Sequence, residues 1–319
     1  GGFDMPIQYS TIIDEHNAVR NHCGVFDVSH MGEVTVKGPD AEKYVNHIFT
    51  NDITNAPKGQ IYYGMMLYEN GGTVDDLLVY KMGENDFFLV INAANIDIEL
   101  KNESEYYGQL AVQGPEAESV VETVLGIPCK ELVFYTSKTV EKDGETIIIS
   151  RTGYTGEDGF EIYGSHDFIR RQWDALMESG KCKPCGLGCR DTLRFEVGLP
   201  LYGDELSENI SPVMAGLSMF CKLDKPEFIG KEGVKQKLVG IELFDRAIPR
   251  HGYKVLHDGK EIGVVTTGYH TISTDKSVCM ALIDTEYSKL DTEVSIQIRK
   301  KTFKGKVVKK RFYDKHYKK

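Results

Sequence analysis

The feature that most restricts the fold of this chain is a change of patterning near residue 235. Beyond Phe228-Ile229-Gly230, residues 238–243, 254–256, 261–266, 277–283 and 293–299 are short apolar runs at regular spacing, with helical signals nearly absent. Short strands repeated in this way close into a small barrel or pack as a sandwich. The spacing therefore predicts an all-β domain over 235–319. Residues 1–234 mix both periods and predict an α+β region. Residues 12–20 are acidic early and end on Arg20, as a helix prefers. Residues 32–38 alternate as a half-buried strand, and 166–179 form an amphipathic helix around the single Trp173. Branched and aromatic runs at 62–68, 77–82 and 87–92 predict an antiparallel meander, with Asn70-Gly71-Gly72 as the turn between the first two.

Composition removes several classes of function. The chain has 319 residues, enough for two or three domains. Its 38 basic against 48 acidic residues leave a net charge of −10, which argues against nucleic-acid binding. The longest apolar runs, such as Leu77-Leu78-Val79-Tyr80, are too short to cross a bilayer, and no signal peptide is expected. Seven dispersed cysteines fit a reducing compartment rather than a disulfide scaffold. Cys182-Lys183-Pro184-Cys185 with Cys189 lacks the second ligand pair of a structural zinc site, so no metal is expected.

Two dense segments lie one helix apart. They are Gly153-Tyr154-Thr155-Gly156-Glu157-Asp158-Gly159-Phe160-Glu161 and Gly186-Leu187-Gly188-Cys189-Arg190-Asp191-Thr192-Leu193-Arg194. Each sets a charged side chain beyond a glycine-rich bend, so a carboxylate and a guanidinium are placed to grip a planar polar ligand. The glycines of the first segment do not lead into a helix, which removes a phosphate cradle. In the strand after it, alternation puts Phe160 and Ile162 on one face and Glu161 and Tyr163 on the other. Asp75 and Asp76 open a strand, so only one of them points to a given side. Taken singly, each of these charged residues reads more readily as a solvated or ion-paired surface group.

Taken in order, the motifs are more specific. Phe26-Asp27-Val28-Ser29-His30-Met31, Gly71-Gly72-Thr73-Val74-Asp75-Asp76-Leu77, Val112-Gln113-Gly114-Pro115, the two segments above, Leu201-Tyr202-Gly203, Ile210-Ser211-Pro212 and Ile248-Pro249-Arg250-His251-Gly252 run along the whole chain. Together they resemble the aminomethyltransferase of the glycine cleavage system, the T-protein family. That resemblance implies three domains in a clover arrangement around a central folate channel, two of them interleaved within 1–234. It implies transfer of a one-carbon unit from the aminomethyl-lipoyl arm of the H-protein to tetrahydrofolate, with release of ammonia and methylenetetrahydrofolate. Tetrahydrofolate is then a co-substrate, the lipoylated H-protein the partner, and no metal, nucleic acid or membrane is required. The matching position for the critical acid is Asp76. Glu161 matches the acid that grips the pterin, and Arg190 a folate-contacting arginine. Met31, Asn92 and Tyr154 match pocket positions, and Tyr317 is the nearest match to a ligand-reaching tyrosine near the C-terminus. A bacterial cytoplasmic setting is expected ahead of the mitochondrial matrix.

The resemblance also implies two rivals on the same scaffold: a folate-dependent demethylase of a small methylated amine or sulfonium compound, and a non-catalytic folate-binding protein. Relative to the family pattern, Asn95-Ile96-Asp97 runs directly into Ile98-Glu99-Leu100 without an intervening helix. A shorter gap falls near Gly233-Val234-Lys235. Lys304-Gly305-Lys306-Val307-Val308-Lys309-Lys310-Arg311 is basic within an acidic chain. It reads either as a surface that steers an acidic partner or as lysines guarding a sheet edge.

Overall fold

The computed structural model describes residues 4–68, 71–92, 101–222 and 236–316. The chain forms two compact units, one from residues 1–64, 77–193 and 315–319, the other from 65–76 and 194–314.

The first unit opens with α1 (Ile12–Asn21), started by Thr11, whose hydroxyl accepts the Asp14 amide at 3.1 Å. There follow β1 (Gly24–Asp27), β2 (Gly32–Lys37), α2 (Ala41–Ile48), β3 (Ile61–Leu67), β4 (Thr73–Gly83), β5 (Asp86–Ile91), β6 (Lys101–Asn102) and β7 (Tyr107–Gln113). Then come α3 (Ala117–Thr123), β8 (Ser137–Lys142), β9 (Glu145–Ser150), β10 (Gly159–Ser165), α4 (His166–Ser179), β11 (Lys183–Pro184) and α5 (Leu187–Glu196). Two sheets result, ordered β11-β1-β7-β10-β9-β8 and β3-β4-β5-β2-β6.

Register fixes which side chains meet. β10 pairs with β7 and β9 so that Tyr163 lies opposite Gln109 and Ile148, and Glu161 opposite Ala111 and Ser150. The expected alternation holds. Phe160 and Ile162 join Leu110, Val112, Ile149 and the α4 residues Phe168, Ile169 and Leu176 in one buried cluster. The opposite face carries Tyr163 and Ile148 into a second cluster with Tyr80, Phe88 and Val90 of the other sheet. Polar side chains placed on this second face must therefore find partners between two sheets, away from water.

In the second unit, β12 (Gln236–Leu243), β13 (Lys254–His257), β14 (Lys260–His270), β15 (Ser277–Asp284), β16 (Glu293–Ile298) and β17 (Lys301–Val308) close as β12-β15-β14-β13-β16-β17. The fold class is thus mixed α and β with a closed six-stranded barrel. Five of these strands follow the sequence pattern. The sixth, β17, lies in the basic stretch and alternates inward Phe303, Gly305 and Val307 with outward Lys304 and Lys306. Closure leaves β17 bonded on both sides, to β16 and β12, so its lysines guard no open edge. Lys306 instead pairs with Asp291 at 2.7 Å, and Lys310 donates to the Ala215 carbonyl at 3.1 Å.

The start of β4 belongs to this second unit. Thr73 donates its amide to Ser207 and its hydroxyl to Ile210, each at 2.8 Å, and Tyr202 donates its hydroxyl to the Thr73 carbonyl at 3.2 Å. The preceding residue has to be glycine. A Cβ on Gly72 would lie 1.7 Å from the Glu208 carbonyl oxygen, inside any allowed contact.

Candidate functional site

The two glycine-rich segments are shaped first by packing. The bend over 151–158 wraps the Gln113 side chain, which donates to the Thr152 carbonyl at 3.0 Å and accepts from the Thr155 hydroxyl at 2.9 Å. A Cβ at Gly153 would lie 2.0 Å from the Gln113 oxygen, so that close approach requires glycine. Arg20 seals the bend from α1, donating to the Thr155 carbonyl at 2.6 Å and to Glu157 at 3.1 Å. The other side of the bend meets the C-terminal tail. His316 donates its amide to the Gly156 carbonyl at 2.9 Å and sets its ring 3.3 Å from Glu157. The second segment is tied to the segment before α1 by Glu15, whose buried carboxylate accepts the amides of Tyr9, Ser10 and Gly186.

On this frame Glu161 is half-buried on β10. One carboxylate oxygen accepts from Gln109 Nε2 at 2.9 Å, and the other accepts from the Thr152 hydroxyl. Burial pushes its carboxyl above the usual range, opposed by the Thr152 bond, the Arg190 charge and the Gln109 bond. Arg190, half-buried on α5, lays its guanidinium over the Tyr154 ring at 4.7 Å. The structure therefore brings Glu161, Arg190 and Tyr154 together in one unit, within electrostatic reach of each other. Arg190 also lines a cavity of about 240 Å³ with Tyr9, Asp27, His30, His166 and Leu187. There burial, followed by the Arg190 charge, lowers the His30 imidazole to about 4. Met31 is half-buried and touches both the cluster around Phe26 and Val28 and the one between the sheets. Asn92 follows β5 and is half-buried. Tyr317 lies outside the described residues, as do 93–100 and 223–235, where the sequence departs from the family pattern.

Asp75 and Asp76 belong to the second unit, where both charges raise the Tyr202 hydroxyl after burial and Tyr68. The pair divides as alternation requires. Asp75 is fully buried on the strand face of Leu77 and Val79, whereas Asp76 is half-buried on the face of Leu78 and Tyr80. Asp76 is thus the more exposed acid of the two. Arg194, four residues beyond Arg190, is consumed internally. It is 1% exposed and donates to Glu205 at 2.8 Å and to the Leu199 carbonyl at 3.2 Å.

Several residues of this site carry no sequence signal. Gln109, Ser150, Thr152, Tyr80 and Tyr163 come from separate strands or turns at no common spacing and meet only after the sheets pack. The seven cysteines are all free and buried, and among the described residues no group of three His, Cys, Asp or Glu side chains is placed to hold a metal. No helix among them is long and apolar enough to cross a membrane.

Comparison with known proteins adds the following. The family described as GCVT N-terminal domain matches residues 1–225, and that described as Glycine cleavage T-protein C-terminal barrel domain matches residues 236–314. An aminomethyltransferase of Lysinibacillus sphaericus is 46% identical over 339 residues, covering 98% of this chain and 92% of that protein. One from Alkaliphilus oremlandii is 47% identical over 344 residues, covering 100% and 94%. The crystal structure of glycine cleavage system aminomethyltransferase T from Bartonella henselae superposes with a TM-score of 0.92 at 31% identity, covering 100% of this chain and 94% of that one.

Proposed function

The chain belongs to the aminomethyltransferase family of the glycine cleavage system, and from that premise we propose how its residues divide the work. The donor is the aminomethyl group on the lipoyl arm of the H-protein, the acceptor is tetrahydrofolate, and the products are ammonia and methylenetetrahydrofolate. The observation that carries the folate assignment is Glu161, an acid whose two oxygens are each already held by one donor, Gln109 and Thr152. A carboxylate fixed in this way keeps lone pairs for the two N–H donors on the aminopyrimidinone edge of a pterin. A single carboxylate reads such an edge bidentately, as it does for guanine-like bases.

Arg190, flattened on Tyr154, supplies a guanidinium for the anionic part of folate. Met31 and Asn92 line the ring's surroundings, and Tyr317 is assigned to the ligand by its match to the family pattern. Asp76 performs the electrostatic task. As a folate nitrogen attacks the methylene carbon, positive charge develops on nitrogen, and a nearby carboxylate stabilises it and orients the amine. Under this reading the carboxylate that binds and the carboxylate that assists the reaction are different residues.

Two measurements test the reading. Purified protein given tetrahydrofolate and aminomethylated H-protein is expected to release ammonia and methylenetetrahydrofolate in equal amounts. No product from folded protein with active partner overturns the assignment, and turnover of a methylated amine instead identifies the demethylase rival. Asp76→Asn is expected to fold, to bind tetrahydrofolate, and to lose turnover by on the order of 10²-fold. Near-wild-type turnover would remove Asp76 from its role and direct the same substitution to Asp75.

A further inference from the structure

The partners of Glu161 continue into a closed ring of hydrogen bonds. Gln109 Nε2 donates to Glu161 at 2.9 Å and also to the Tyr163 hydroxyl at 3.1 Å. Tyr163 lies 2.8 Å from the Tyr80 hydroxyl, which lies 3.3 Å from Ser150 Oγ. Ser150 lies 2.7 Å from the Thr152 hydroxyl, which returns to the second oxygen of Glu161. Tyr80 and Tyr163 are fully buried, as is Ser150.

The donors in this ring follow from its Glu161 end. An ionised carboxylate only accepts, so Thr152 spends its one proton on Glu161. Ser150 must then donate to Thr152 at 2.7 Å. Tyr80 in turn donates to Ser150, and Tyr163 to Tyr80. Gln109 Nε2, which only donates, gives one proton to Tyr163 and the other to Glu161. Every hydroxyl proton therefore points the same way round, and both ends of the chain of donors arrive at one carboxylate. Two incoming donors are matched by an ionised carboxylate, since a protonated one spends an oxygen on its own O–H.

We propose that Tyr80 is a positioning residue for tetrahydrofolate: without touching Glu161, it closes the ring that holds the Glu161 carboxylate as an ionised, fixed acceptor for the donor edge of the pterin. The inference rests on the assignment of Glu161 to the pterin. The ring opposes what burial does to Glu161, and the charged or titratable groups acting on the same cluster are Arg190, Tyr80 and Tyr163, with Glu33 acting on Tyr163. Opening the ring at Tyr80 leaves Tyr163 and Ser150 free to turn. Thr152 is then free to accept from a protonated Glu161 instead of donating to it.

The test is tetrahydrofolate binding by calorimetry from pH 6 to 9, together with steady-state kinetics, for Tyr80→Phe, Thr152→Val, Thr152→Ser and Glu161→Gln. Tyr80→Phe is expected to weaken binding about tenfold at pH 7, the scale of a hydrogen bond to a charged group. It is expected to move the acid limb of the binding profile to higher pH, with kcat kept within about twofold. Thr152→Val reproduces that shift by cutting the ring elsewhere, and Thr152→Ser, which keeps the hydroxyl, restores the wild-type profile. If Glu161→Gln is impaired while both Tyr80→Phe and Thr152→Val keep the wild-type affinity and pH profile, the ring has no such role. If Glu161→Gln itself binds normally, the pterin assignment fails and the ring falls with it.

Discussion

Glu33 is fully buried on β2, and neither of its carboxylate oxygens has a hydrogen-bond partner among the described residues. Burial alone pushes its carboxyl up to about 9, beside Tyr107 and Tyr163. Its unfolded value is near 4.5, so between these limits the folded protein holds a proton that the unfolded chain releases. The contribution is complete below pH 4.5 and is lost as pH rises toward 9. Glu33→Gln, neutral at every pH, is expected to flatten this slope and to stabilise the protein at pH 8 by on the order of 2–4 kcal/mol relative to wild type. Urea unfolding at pH 5 and pH 8 measures it. An unchanged slope in the variant would show that Glu33 is not the group responsible.

At the scale of elements, α4 shows how short-range chemistry sets boundaries. Ser165 caps it by accepting the Phe168 amide at 3.1 Å, and Gly180 ends it in the left-handed region at φ 65°. Ser165→Ala is expected to cost about 1 kcal/mol in chemical denaturation, and a cost below a few tenths would mean the cap is replaced by solvent. Such elements were legible because their signals are local: the residue range 166–179, the turn glycines, and the alternation that separates Glu161 from Phe160. Four strands were not; β6 and β11 are two residues each, too short to leave a pattern. The lysines of β17 read as a charged patch and mask its alternation, and β8 has a mostly exposed or half-buried pattern with no apolar alternation. β17 takes its place by pairing with β12, far away in sequence, whereas β8 is held at a sheet edge only by its hairpin with β9. The residues singled out as candidates divide in the same way. Glu161, Arg190 and Asp76 stand out as charges beside bends or strand starts. The amide and hydroxyls that orient Glu161 are ordinary residues, and only the packing of two sheets gives them a joint meaning.

The whole molecule is assembled from interrupted segments. Matches to the family run from end to end, yet neither compact unit is a continuous stretch of chain, because 65–76 belongs with 194–314. The basic residues near the C-terminus show why charge counts need the fold beside them. Lys306 and Lys310 look like a free patch in sequence, but they are engaged by Asp291 and the Ala215 carbonyl. The backbone partners of Thr73, at Ser207 and Ile210, carry a further consequence, which concerns synthesis rather than the finished protein. They are made more than 130 residues after Thr73, a delay of roughly seven to twenty-seven seconds at ordinary translation rates. Throughout that interval the strand start bearing Asp75 and Asp76 has no docking site, so the two carboxylates are set among the later steps of folding. A ribosome stalled before Ser207 would therefore carry a nascent chain whose 65–76 segment is open to proteases and chaperones.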